Sequence, residues 1–135
     1  MTEGKTHDVI VGRTLEFPKG SIVAIDKGYN DYAWYNQLTG KGIFFVTRLK
    51  NNAKYRTVSR RPVLKSKGLN SDQTIEFTGT QTAKKCPAQL RRIGYRDAET
   101  GKRYVFLTNN FKLAAKTIAD IYKARWQVEL FFKWI

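Results

Sequence analysis

Two short apolar runs near the start of the chain predict buried strands. Residues 21–25 and 43–47 are continuous runs rich in β-branched and aromatic side chains, a pattern typical of strands covered on both faces. Between them, the Asn-Asp pair at 30–31 can cap a short helix that ends at Gly40 or Gly42. A strand, a helix and a second strand within about 30 residues predict a βαβ-like unit in the first 50 residues.

The hydrophobic period changes in residues 51–110. Residues 74–78 alternate apolar with polar positions, as a half-buried strand does. Two apolar runs, 93–96 and 104–107, flank the segment 97–102, whose Asp and Gly suit a hairpin loop. No stretch here shows helical spacing. We therefore predict a small antiparallel β lobe inserted into the α/β core.

Residues 111–135 predict a helix that carries buried charge. Asn109 or Asn110 can cap it, and neither Gly nor Pro follows residue 112. At about 100° per residue, five positions fall within one stripe: Ile118, Tyr122, Arg125, Glu129 and Phe132.

That stripe predicts a functional site, because a buried charge is costly unless it is paired or holds a metal. The alternative is an Arg125–Glu129 ion pair at i, i+4, which is common on exposed helices. The opposite side is also apolar, with Leu130, Phe131 and Trp134, so no side of the helix is simply solvated. The pattern favours the site.

Charge narrows the choice of partner. The chain has 25 Lys and Arg against 11 Asp and Glu, and residues 41–70 hold nine basic residues and no acidic one. Such a block indicates a surface that faces a polyanion, and we favour nucleic acid over a solvated face or an acidic protein partner. The candidate DNA-binding residues in the block are Arg48, Lys50, Lys54, Arg56, Arg60 and Arg61.

Composition excludes several other classes. No apolar run approaches the roughly 20 residues of a membrane span, and the polar start of the chain is not a signal peptide. The single cysteine, Cys86, excludes an internal disulfide and a Cys-cluster zinc site. A catalytic role for Cys86 would need a histidine base that only His7 could supply, and we set it aside. We interpret His7 as a polar loop residue and not a metal ligand, because no second His or Cys accompanies it. These features predict a cytoplasmic protein.

The helix also carries a family resemblance. Its residues Tyr122, Arg125 and Glu129 match the Y-x2-R-x3-E-x6-K signature of bacterial insertion-sequence DDE transposases, whose Lys would fall just after the last residue. Segment 125–135 (RWQVELFFKWI) resembles the sequence around their catalytic Glu. Segment 25–32 (IDKGYNDY) is similar to the one with their second Asp, and 2–8 (TEGKTHD) to a stretch after their first.

The resemblance implies a partial RNase H-like core with an inserted antiparallel β lobe. Residues 1–50 would be part of the core with the second Asp, 51–110 the lobe, and 111–135 the helix with the Glu. Asp26 and Glu129 would hold Mg²⁺, or Mn²⁺ as a substitute, for cutting DNA at a two-metal site. Tyr122 and Arg125 would contact DNA, and Trp126 could stack on a base or pack in the core.

The same resemblance sets expectations about the intact protein. Its partners would be transposon ends and target DNA, and the intact protein could form a homodimer. It would not bind a membrane and would lie in the bacterial cytoplasm, associated with the nucleoid. The first Asp would precede residue 1, so we expect little catalysis from this chain alone. The alternative function is a non-catalytic nucleic-acid-binding module or a regulator that inhibits transposition. A pure binder, however, has no use for the carboxylate of Glu129 on a buried helical face.

Overall fold

The computed structural model describes residues 19–25, 32–50 and 53–134, with side chains described through Ala124. Its strands are β1 (Ile22–Ala24), β2 (Phe44–Arg48), β3 (Tyr55–Arg60), β4 (Leu69–Phe77), β5 (Leu90–Arg96) and β6 (Arg103–Thr108). Its helices are α1 (Tyr32–Gly40), α2 (Thr80–Lys85) and α3 (Ala115–Trp134), with a 3-10 turn at Lys65–Lys67. Within these residues, no helix is both long and apolar enough to span a membrane.

The six strands form one sheet in the order β1-β2-β6-β5-β4-β3. β1 and β2 are parallel and joined through α1, which confirms the predicted βαβ-like unit. Every other neighbouring pair is antiparallel. The mixed α/β class is therefore confirmed. The sheet is continuous across the predicted boundary near residue 50, because β6 pairs with β2.

Alternation along the strands gives each side of the sheet its own core. One side holds Phe45 and Leu107 with the helix α1 side chains Tyr35 and Leu38. The other side holds their neighbours Val46 and Phe106, together with Ile118 and Tyr122 of α3. Because successive strand residues point to opposite faces, these runs are apolar at every position and bury both faces.

The stretch 51–110 differs from its prediction in one element. The hairpin of β5 and β6 is present, with Arg96 opposite Arg103, and the alternating strand is confirmed as part of β4. However, Thr80–Lys85 forms the short helix α2, where we predicted no helix. Its six residues carry no apolar stripe that a period could reveal. Its helical turn ends at Cys86, which is 1% exposed and packs in the α1-side core.

Asn109 and Asn110, the two predicted caps of α3, make different contacts in the segment between β6 and the helix. The Asn110 side-chain oxygen accepts the backbone N–H groups of Lys112 and Leu113, both at 2.9 Å, just before α3 begins. Asn109 instead accepts the Phe45 N–H at 2.9 Å and donates to the Ile43 carbonyl at 2.9 Å. Asn110 thus orders the turn before the helix, while Asn109 ties the end of β6 to β2. The predicted cap at either asparagine is wrong, because α3 begins only at Ala115, where the Ile118 N–H donates to the Ala114 carbonyl at 3.1 Å.

Candidate functional site

One predicted metal ligand follows the end of β1 in the sequence, and the other belongs to α3. Asp26 comes directly after Ile25, whose N–H donates to the Val46 carbonyl at 2.9 Å as β1 ends. Asp26 itself lies outside the described residues. Glu129 lies within the backbone of α3, but its side chain, like those of Arg125 and Trp126, lies outside the described part. The predicted metal site therefore stays a prediction.

The direction of α3 determines which end of the sheet it reaches. The Tyr122 ring packs against Phe106 and Tyr104 of β6, with centroid distances of 5.0 and 6.4 Å. Since α3 starts just beyond the end of β6 and returns along it, helix and strand are antiparallel. β2 is antiparallel to β6 and parallel to β1. The backbone of α3 past Tyr122 therefore runs toward the carboxyl ends of β1 and β2.

The described half of the α3 stripe is buried as predicted. Ile118 is fully buried and Tyr122 is 2% exposed, both in the α3-side core. The neighbouring small residues, Ala115 and Ala119, are also buried and let the helix lie close to the sheet. The Tyr122 ring serves packing in this state, and its predicted contact with DNA is untested.

Comparison with known proteins decides the family. A sequence model of the family described as "Transposase DDE domain" matches residues 1–135. The chain belongs to this family.

Two curated relatives of this DDE-domain chain carry transposase names. It is 34% identical over 139 residues to "Putative transposase y4zB" of Sinorhizobium fredii, an alignment that covers all of this chain. It is 30% identical over 136 residues to "Probable transposase for insertion sequence element IS5377" of Geobacillus stearothermophilus, covering 99% of this chain. The chain spans only 38% and 35% of the length of these two proteins.

Part of the positive charge in the basic block, residues 41–70, is neutralised by ion pairs within the sheet. Arg56 pairs with Glu76 at 3.2 Å, and Arg61 pairs with Asp72 at 3.4 Å. Arg61 also donates to the Thr74 hydroxyl at 2.7 Å. Arg56 and Arg61 are therefore compensated, although the window 41–70 itself contains no acidic residue. Their acidic partners lie on β4, outside the window 41–70.

The cations also divide between the two faces of the edge strand β3. Arg56 is registered with Glu76, and Arg60 with Gln73, three positions away on β4. Because odd offsets along a strand change face, Arg56 and Arg60 point to opposite sides of the sheet. Lys50, Lys54 and Arg60 are exposed. The block therefore does not form one flat patch: Arg56 and Arg60 lie on the edge strand β3, whereas Arg48 lies on β2, which three other strands separate from β3 in the sheet.

A cleft of about 450 Å³ lies beside α3, where β5 turns into β6. Its lining comprises Arg48, Asp97, Lys102, Arg103, Tyr104, Tyr122 and Lys123. Of these, only Arg48 and Tyr122 were predicted from the sequence to be site residues. The paired cations at the end of the predicted hairpin loop, Lys102 and Arg103, were a signal that counting charges within the 41–70 window overlooked.

An ion pair between Asp97 and Lys123 joins two of the elements that line this cleft. The Lys123 ammonium lies 3.1 Å from one oxygen of Asp97, and the other oxygen accepts the Glu99 N–H at 2.9 Å. The Glu99 backbone hydrogen bond and the Lys123 ammonium lower the pKa of Asp97. The hydrogen bond to Asp97 raises the pKa of Lys123. Both groups are held in their charged forms, and the pair joins the hairpin loop to α3.

The remaining sequence candidates give no second site. Burial raises the pKa of the Cys86 thiol to about 11, so it is not an activated nucleophile. His7 lies outside the described residues. Among the side chains that the structure does describe, no three His, Cys, Asp or Glu residues cluster closely enough to hold a metal ion.

Proposed function

We propose that this chain is the part of a DDE transposase that carries its second Asp and its Glu, and that it serves metal-dependent cleavage and transfer of DNA strands at transposon ends. Family membership supports this proposal. The single observation that carries it is the direction of α3, which brings the backbone around residue 129 toward the carboxyl ends of β1 and β2. That arrangement suits the RNase H-like core of the proposal.

Strand alternation supports the same placement for Asp26. Ala24 is registered with Val46, which belongs to the α3-side core. Since residues two apart on a strand share a face, an extended backbone would point position 26 toward α3 as well. Position 129 follows the buried Tyr122 by seven residues, about two helical turns. Both carboxylates are thus proposed to face the space between α3 and the strand ends.

The donor set suits the metal chemistry that the family uses. Carboxylate oxygens are the ligands that Mg²⁺ prefers, and Mn²⁺ accepts the same ligands with higher affinity. Bound there, the ions would activate the attacking water or 3′-hydroxyl and stabilise the leaving oxygen. Asp26 and Glu129 would hold the metal, while Arg125 and Trp126 would contact the DNA backbone and bases. The substrates would be transposon ends and target DNA within a bacterial cell.

A Mn²⁺ titration of the full chain tests the proposed ligands. Asp26→Asn and Glu129→Gln should each abolish Mn²⁺ binding while the circular dichroism spectrum stays unchanged. Asp120→Asn is the matched control, because Asp120 is an exposed carboxylate on the same helix, with a side chain 56% exposed. It should bind Mn²⁺ as the unaltered chain does.

Two outcomes would contradict the proposal. One is Mn²⁺ affinity that is lost equally in the Asp120→Asn control, since this would indicate diffuse attraction to acidic side chains. The other is no Mn²⁺ binding by the unaltered chain together with firm DNA binding, which would favour the non-catalytic nucleic-acid-binding module.

A further inference from the structure

The cleft beside α3 has more positive charge than its own carboxylate can balance. Four cations line it, Arg48, Lys102, Arg103 and Lys123, with Asp97 as the acidic side chain among its lining residues. Asp97 is already committed to Lys123 at 3.1 Å and to a backbone N–H. Among the described residues, Arg48, Lys102 and Arg103 therefore have no carboxylate partner.

The cleft is also shaped by aromatic rings that hold one of these cations. The Arg48 guanidinium lies over the Tyr104 ring, 5.2 Å from its centroid. Such stacking orients a guanidinium and leaves its N–H groups available to an acceptor. Lys102 and Arg103, which directly precede Tyr104 at the start of β6, are exposed and also line the cleft. The cleft is thus open to a ligand with several negatively charged oxygens.

The position of the cleft connects it to the proposed active site. Arg48 ends β2, and β2 is the direct neighbour of β1, the strand that Asp26 follows. Tyr122, in the lining, precedes Glu129 by two helical turns. A DNA strand with its scissile phosphate near Asp26 and Glu129 would place neighbouring phosphates along the direction of this cleft.

We infer that the cleft binds backbone phosphates of a DNA strand next to the scissile position, with Lys102 and Arg103 as phosphate-binding residues together with Arg48. The inference rests on the proposed function for the identity of the ligand. It goes beyond that function by adding two residues from the β5–β6 hairpin, which lie outside the basic block. The ion pair of Asp97 and Lys123 positions that hairpin against α3.

The test is the salt dependence of DNA binding, measured by fluorescence anisotropy with a labelled duplex in EDTA. The slope of log K against log salt is negative, and each phosphate contact that is lost makes it shallower by about 0.9. Lys102→Ala/Arg103→Ala should therefore reduce the magnitude of this negative slope by about one to two. The matched control is Lys84→Ala/Lys85→Ala, which removes two exposed charges from α2, across the sheet. It should leave the slope nearly unchanged.

Three results would overturn the inference. The first is no change in slope for Lys102→Ala/Arg103→Ala. The second is an equal change in both double variants, which would indicate only the net charge. The third is a Lys102→Ala/Arg103→Ala variant that no longer binds inorganic phosphate but keeps the salt slope for DNA of the unaltered chain. The cleft would then bind a free anion and not DNA. Because EDTA removes the metal, a negative result in the anisotropy measurement overturns only the proposed phosphate binding in the cleft. A negative result in the Mn²⁺ titration overturns the proposed metal site.

Discussion

Arg91 and Asp72 form a buried ion pair beneath the segment that leads into α3. Their side chains are 4% and 6% exposed, and two hydrogen bonds of 2.8 and 2.7 Å join the guanidinium to both carboxylate oxygens. Arg91 also donates to the carbonyls of Asn110 and Leu113, at 3.1 and 2.6 Å. One guanidinium therefore connects β4 and β5 to the start of the helix that bears Glu129.

Replacing Arg91 with Met should be strongly destabilising. Removal of one member of a buried pair costs about 3–5 kcal/mol, because it leaves a buried charge uncompensated. Arg61 would give Asp72 only partial compensation, since it lies 3.4 Å away and its side chain is 34% exposed. The carbonyls of Asn110 and Leu113 would also lose a donor. Arg91→Lys keeps the charge but not the paired N–H groups, so its loss should be intermediate.

Urea denaturation followed by circular dichroism measures this loss. The matched control is Arg56→Met, which removes the same side chain from an ion pair on the same sheet, where Arg56 is 66% exposed. Water screens such a surface pair, so the midpoint should barely move. If Arg91→Met does not fold, Arg91→Lys carries the comparison. Equal midpoints for the substitutions at positions 91 and 56 would refute the reasoning.

Two further predictions concern stability and a thiol. Gly68 has φ +84°, and an added Cβ would lie 2.4 Å from a backbone oxygen of β5. Gly68→Ala should therefore lower the urea midpoint. The control is Gly40→Ala, which should not lower it, because an added Cβ at Gly40 has no atom within 4 Å. Equal midpoints for the two variants would contradict this prediction. The pKa of Cys86 is raised from 9.0 to about 11. The contribution of Cys86 to the free energy of unfolding should therefore fall as pH rises from about 9 to 11. Cys86→Ala should lack that fall. Parallel plots of unfolding free energy against pH for Cys86→Ala and the unaltered chain would contradict this prediction.

Local patterns were sufficient for the elements that bury both faces. The apolar residues around Val23 and Phe45 alternate between the two cores, because helices cover both sides of the sheet. Helix α1 ends at Gly40, one of the two predicted ends, and Gly42 follows in the turn with φ +75°. The Asp-Gly content of 97–102 predicted the hairpin, where Gly101 has φ +73° and its N–H donates to the Asp97 carbonyl at 2.8 Å.

Interactions between distant residues were beyond such patterns. Arg56 and Glu76 are 20 residues apart and meet only because β3 and β4 pair. A charge count over a sequence window cannot detect that neutralisation. Helix α2 was missed for a related reason, since its packing depends on contacts with α1 and β4 and not on its own composition.

The candidate site was predicted only in part. The stripe on α3 predicted the burial of Ile118 and Tyr122, because helical phase is local. The cleft was not predicted, since it joins Arg48 of β2 to Lys102 of the hairpin and Lys123 of α3. Only the order of strands in the sheet brings those three together.

The most direct test of the central claim is a crystal structure of the chain soaked in Mn²⁺, with the metal located by anomalous scattering. We predict Mn²⁺ between α3 and the end of β1, with oxygens of Asp26 and Glu129 about 2.1–2.2 Å from one ion, or from two ions about 4 Å apart. Carboxylates on opposite sides of the sheet, or Mn²⁺ bound without either of them, would contradict the account.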